Sequence, residues 1–108
     1  MFRDDSQLAS ACRVLLAMVR LERLWNDHGP TSEATDLLEA DGGPLSSGER
    51  VMLLAAWAFW NGAGGLTIAE VLERLDGESV EALCFLVMAS KCGADAVDDW
   101  LAEHGRGL

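Results

Sequence analysis

Cys12, Cys84 and Cys92 are the thiols of this chain, and His28 and His104 its imidazoles. Clustered at fixed short spacings, such donors bind zinc. Here each histidine stands alone before a glycine, and the three cysteines lie apart inside apolar or helical stretches. An odd number of cysteines used this way reads as small buried hydrophobes in a reducing compartment, not as a disulfide framework. A reactive thiolate needs a cation beside it, and Cys84 lies between Leu83 and Phe85. Ser46, Ser47 and Ser79 read as helix caps; none stands in a strand-to-helix nucleophile elbow. The segment Gly62-Ala63-Gly64-Gly65 lacks the Gly-Lys-Ser/Thr ending of a phosphate-cradling loop and follows a helix. The expectation is a non-enzyme with no catalytic residue, no metal and no cofactor.

Carboxylates are the other abundant chemistry. The formal net charge is −10, and all of the excess falls after residue 30. Glu70, Glu73, Asp76, Glu78 and Glu81 form an acidic stretch with only Arg74 among them. One reading is a patch for a basic partner, built on Glu73, Asp76, Glu78 and Glu81. The other is local: Glu70 belongs to a capping box, and Glu78 and Glu81 lie in a first helical turn, where the dipole favours them. Nucleic acid is an unsuitable partner, since phosphates are bound by clustered Lys and Arg. Residues 66–91 do have the outline of a helix-turn-helix. Its second helix, however, offers Glu78, Glu81, Leu83, Phe85 and Val87 where base edges require polar and basic groups.

These residues are positioned by a series of short helices. The spacing predicts a first helix from after Ser6 to about Asp27, ended by His28-Gly29-Pro30. A second runs from Ser32 to about Ala40 as a surface flap, with Thr31 or Ser32 as cap. Ser46 and Glu49 open a third helix with a capping box, and Asn61-Gly62 stops it. Thr67 and Glu70 form another box, with Leu66 and Val71 as a hydrophobic staple, starting a fourth helix that buries Ile68, Val71, Leu72 and Leu75. Gly77 breaks it. A fifth runs from near Ser79 to Lys91, and a sixth, capped by Asp95, carries Val97, Trp100 and Leu101. No segment alternates as a half-buried strand must. The fold class is all-α: a compact bundle of five to six short helices in one domain over residues 1–108, with 104–108 a frayed tail. Its core includes Leu15, Val19, Leu53, Leu54, Trp57, Leu72, Leu83, Leu86 and Val87.

The remaining signal is a surplus of apolar surface. Residues 51–60 and 82–89 have no polar face, and a domain this small has room for about one fully surrounded helix. Either both pack as an antiparallel central pair, or one of them is partly exposed. Exposed contiguous apolar surface marks interaction sites, and tryptophan and phenylalanine make hot spots. Trp57, Trp60, Phe85 and Met88 are the contact residues expected on such a face. The longest apolar run, Val51 to Trp60, spans about 15 Å as a helix, half of a bilayer core. With no basic n-region at the N-terminus, the expectation is a cytoplasmic chain without membrane contact. Arginine far outnumbers lysine and alanine is abundant, a composition of GC-rich bacterial genomes.

The size and the six short amphipathic helices resemble death-fold adaptor domains, recruitment modules that assemble by homotypic contacts. The resemblance lies in helix number and length, so no residue is carried over. It implies an adaptor or homo-oligomerising domain, with a protein partner or a second copy as its ligand. The competing expectation is an acidic regulator, antitoxin-like or anti-defence, that covers a basic surface on its target.

Overall fold

Asp4 opens the first helix: its carboxylate accepts the Gln7 N–H at 2.8 Å, satisfying an otherwise orphaned donor. The computed structural model describes residues 1–63 and 65–106, and among these six α-helices carry an all-α bundle. They are α1 (Asp5–Ala17), α2 (Ser32–Glu39), α3 (Ser47–Asn61), α4 (Ile68–Arg74), α5 (Gly77–Cys92) and α6 (Ala94–His104). The radius of gyration, 12.6 Å, matches the compact value of about 13 Å for a chain near this length. The central helix is α1, which packs on α3, α5 and α6. Its Ala9, Ala11, Cys12, Leu15 and Leu16 are completely buried.

The first helix is shorter than its apolar periodicity predicts. It ends at Ala17 because the chain closes a Schellman motif there: Leu21 N–H bonds to Leu16 O at 2.9 Å and Arg20 N–H to Ala17 O at 3.1 Å. Arg20 takes the left-handed position, φ 62°, that glycine usually fills. Leu16 and Leu21, both buried, supply the apolar contact that accompanies this motif. Beyond a 3-10 turn over Glu22–Leu24, Trp25–Asn26 (β1) pairs antiparallel with Gly29–Pro30 (β2). This small ladder was not expected from the sequence. Asn26 Oδ1 accepts the His28 N–H at 2.8 Å across its turn. Gly29, at φ 120°, lies under the Trp60 ring, where an added Cβ would come 2.6 Å from Cζ2.

Both predicted capping boxes are present. Ser46 and Glu49 exchange bonds at the start of α3, as do Thr67 and Glu70 at the start of α4. Asp76, not Ser79, caps α5, so Gly77 is the first residue of that helix instead of a break. Likewise α6 begins at Ala94 after Gly93, with Asp95 in its first turn instead of at the cap. Trp100 Nε1 donates to Ala82 O at 3.0 Å and joins α6 to α5. Gln7, buried on α1, donates to Ala94 O and Asp98 Oδ1 and accepts the Arg3 N–H, which ties the N-terminus to α6.

Several expected core residues are not in the core. Leu15, Leu53, Leu83 and Leu86 are buried, while Val19, Leu54 and Trp57 are only half-buried. Leu72 and Val87 are exposed. Both lie on apolar stripes, as their periodicity predicts, but no neighbouring described element covers those stripes. The two apolar helices are not a central pair either: α3 packs mainly on α1, and α5 mainly on α6. His104 remains helical and stacks on Trp100 with centroids 4.8 Å apart, and Gly105 N–H bonds to Leu101 O. The expected fraying thus does not begin at His104; residues 107–108 lie outside the described residues, as does Gly64 of the glycine-rich connector.

Two backbone substitutions separate these constraints. Arg20→Gly should raise unfolding stability by about 1 kcal/mol, because glycine enters the left-handed region without the Cβ clash. Gly29→Ala should lower it by about 1–3 kcal/mol through strain against Trp60. Urea denaturation of the two variants measures both.

Candidate functional site

The α3 sequence Ala55-Ala56-Trp57-Ala58-Phe59-Trp60 sorts its side chains by the 100° advance of a helix. Ala55, Ala58 and Phe59 fall on one face, Trp57 and Trp60 on the other. Trp57 lines a small cleft together with Thr35 and Leu38 of α2, and Trp60 packs edge-on against buried Trp25, centroids 6.0 Å apart. The opposite face, floored by two alanines, leaves space beside it. That space is an open apolar groove of about 530 Å³.

Its walls come from α4 and α5. Ile68, Val71 and Leu72 line it from α4, with Leu66 before the helix; Val80, Leu83, Cys84, Val87 and Met88 line it from α5. The α5 residues recur at the i, i+3, i+4, i+7, i+8 spacing of one helical face. Several of them are far more accessible than large apolar side chains usually are: Ile68 79 %, Leu72 66 %, Met88 61 % and Val87 53 %. A contiguous patch of this kind is the feature of this surface that calls for an explanation, since scattered single exposures do not.

The groove stays open because of how α4 is attached. No residue within α4 is buried. It is held where Leu75 enters the core just past its end, and where Leu66 before it and half-buried Val71 within it pack against the core. It is also held by Arg50 of α3, whose guanidinium reaches Glu70 Oε2 at 3.3 Å and Asp41 Oδ1 at 3.0 Å. Hydrogen bonds from Arg50 and from the Thr67 cap lower the Glu70 pKa below the usual carboxylate range.

The four expected contact residues therefore separate. Met88 lines the groove, Phe85 is 48 % exposed on the neighbouring side of α5, and Trp57 and Trp60 lie across α3, half-buried in the fold. The residues missed by sequence reasoning are Ile68, Leu72 and Val87. Their periodicity predicts core positions, because it marks an apolar face but not what covers it. The acidic residues Glu73, Asp76, Glu78 and Glu81 are all exposed around the junction of α4 and α5. Asp76 is engaged as a cap, and its bond from the Ser79 N–H lowers its pKa. Among the described residues, Glu73, Glu78 and Glu81 take part in no ion pair.

The thiols depart from expectation too. Cys12 is buried, bonded through Sγ to Ala56 O, and burial pushes its pKa up to about 12. Cys84, which lines the open groove, and Cys92, at the end of α5, are both exposed where buried positions were expected. Among the described residues no group of three or more His, Cys, Asp and Glu could hold a metal ion. No described helix is long and apolar enough to cross a membrane.

Thiol titration of the native protein should consequently modify Cys84 and Cys92 promptly and Cys12 only on unfolding. Acid should loosen α4 before the rest of the fold. A lowered folded pKa contributes stability that is complete above the ordinary carboxylate value, about 4.3 for Glu. That contribution is lost as pH falls through the lowered value. Amide protection in α4 is thus expected to hold from neutrality to about pH 5, then to fall at lower pH, with α1 and α3 still protected. Glu70→Gln should reproduce the loss at neutral pH.

The groove has to be read from its own chemistry: comparison with family models, with curated proteins and with solved structures finds no match for this chain.

Proposed function

We propose that this chain is a protein-binding module whose groove between α3, α4 and α5 receives an apolar helix face of another protein, in the role of a small adaptor. The observation that carries this reading is the exposed apolar lining of Ile68, Leu72, Val87 and Met88. Leaving such side chains in water forgoes about 25 cal/mol for each Å² that could be buried, and a groove between helices is a surface that helical ligands use. It offers no convergent polar groups or cleft of titratable side chains with which to run a reaction, so binding is proposed here in place of catalysis. The net charge of −10 favours a protein partner over nucleic acid. Exposed free thiols at Cys84 and Cys92 suit the reducing cytoplasm.

A second reading, an acidic regulator that covers a basic surface on its target, is favoured by one observation. The carboxylates of Glu73, Glu78 and Glu81 are exposed and unpaired by any described cation. Self-association through the groove, as in a homo-oligomerising domain, is the third form the interaction could take. Burying the groove against a second copy would give a complex that resists salt, whereas an acidic contact weakens as salt screens it.

Selection of helical peptides from a randomised amphipathic library against the immobilised chain tests the docking reading. Enriched peptides should lose at least about tenfold in affinity, or 1.4 kcal/mol, on Leu72→Gln and on Met88→Gln. Both positions are exposed, so unfolding stability should change by less than about 0.5 kcal/mol. Peptides that bind both variants unchanged, or a library that yields no binder, would refute it.

A further inference from the structure

Resting on the docking reading above, we infer that the groove's occupant is an amphipathic helix with a basic flank, one that sets an apolar stripe between α4 and α5 and basic side chains over their junction. Two independent features meet there. One is the apolar lining, whose α5 stripe from Val80 to Met88 runs about 12 Å along the helix axis. A partner helix of two to three turns, with apolar residues at i, i+3 or i+4, and i+7, matches that length.

The other feature is charge, and it is confined to one end. The chain passes from α4 to α5 through Leu75 and Asp76 alone. Glu73, Asp76, Glu78 and Glu81, all exposed, therefore gather where the two walls meet. Glu81 also follows Val80 and lies one turn before Cys84 and Phe85, so it borders the lining stripe directly. The cations near this surface are Arg74, next to Glu73 at the end of α4, and Lys91, one turn beyond Val87 and Met88 at the far end of α5. Among the described residues Arg74 is the cation at this junction, against four carboxylates, and it forms no ion pair with them. Glu70 is turned to Arg50 and is not available to a ligand.

A second copy of this chain fits this surface poorly. Each copy carries −10, so groove-to-groove contact brings together surfaces of the same sign, which costs affinity and slows encounter. A basic flank reverses that sign. It gains attraction on approach and places its cations against Glu73, Glu78 and Glu81, which pair with no described cation, while Asp76 keeps its cap bond.

Two labelled model peptides of about five helical turns test the inference by fluorescence anisotropy with the full-length chain. They share one leucine stripe at i, i+3 and i+7 and differ only in lysine or glutamate flanks. The lysine-flanked peptide should bind at least about tenfold tighter. Leu72→Gln should weaken it, and the combined variant Glu73→Lys, Glu78→Lys, Glu81→Lys should invert the preference. Equal binding of the two peptides overturns the inference, as does a lysine preference that survives the combined variant and so reflects net charge alone. A lysine preference indifferent to Leu72→Gln also overturns it, because the groove is then not involved. If neither peptide binds while library-selected helices still depend on Leu72 and Met88, the basic flank is wrong and the docking reading stands. If the selected helices fail as well, both are wrong.

Discussion

The guanidinium of Arg50 joins three segments of the chain. It bonds to Asp41 at the end of α2, projects from α3, and reaches Glu70 on α4. That last contact matters because α4 has no buried residue within it to fix its place. A seven-residue helix is too short to persist on propensity alone. The Thr67–Glu70 capping box defines where it begins, and Leu75 anchors where it ends. Arg50 sets the direction of the helix between these points. Such a half-exposed ion pair is a modest contributor in energy, but it acts on geometry: α4 stands as a wall instead of lying on the core.

The groove follows from this arrangement together with the small residues beneath it. Ala55 and Ala58 on α3 cannot fill the space between the walls, and the indoles of Trp57 and Trp60 lie on the other side of that helix. Phe59 is engaged at its edge with Phe2, centroids 6.0 Å apart. Collapse of α4 onto α5 would bury Ile68, Leu72 and Met88, yet the link between the helices is two residues long and one of them, Leu75, is committed to the core. The chain thus retains exposed apolar surface that a small domain would otherwise bury. Recognition by another helix is the use proposed for it, and the carboxylates at one end give that surface a direction.

Local signals in the sequence were the ones that could be read. The boxes at Ser46–Glu49 and Thr67–Glu70 need only four residues each, and both form. The end of α1 was hidden because Arg20 occupies a position where glycine would have announced the turn. A second motif of this kind closes α2, with Asp41 at φ 53° and Gly42 N–H bonded to Leu37 O. The hairpin carries no signal in the sequence, since strands of two residues cannot show alternation. The groove was legible only in part. The surplus of apolar residues in 51–60 and 82–89 signalled an uncovered face, and Met88 lies on it. Which face it was depended on α4 standing away from the core, a tertiary fact that placed Leu72 and Val87 outside and turned Trp57 and Trp60 to the other side of α3.

The most direct test of this account is methyl NMR of the free protein with a neutral paramagnetic probe in solution. The methyl groups of Ile68, Leu72, Val87 and Met88 should broaden strongly, while those of Leu16 and Leu86, both fully buried, should remain sharp. Equal protection of both sets would contradict it, since α4 would then lie closed on α5 or a second copy would already fill the groove.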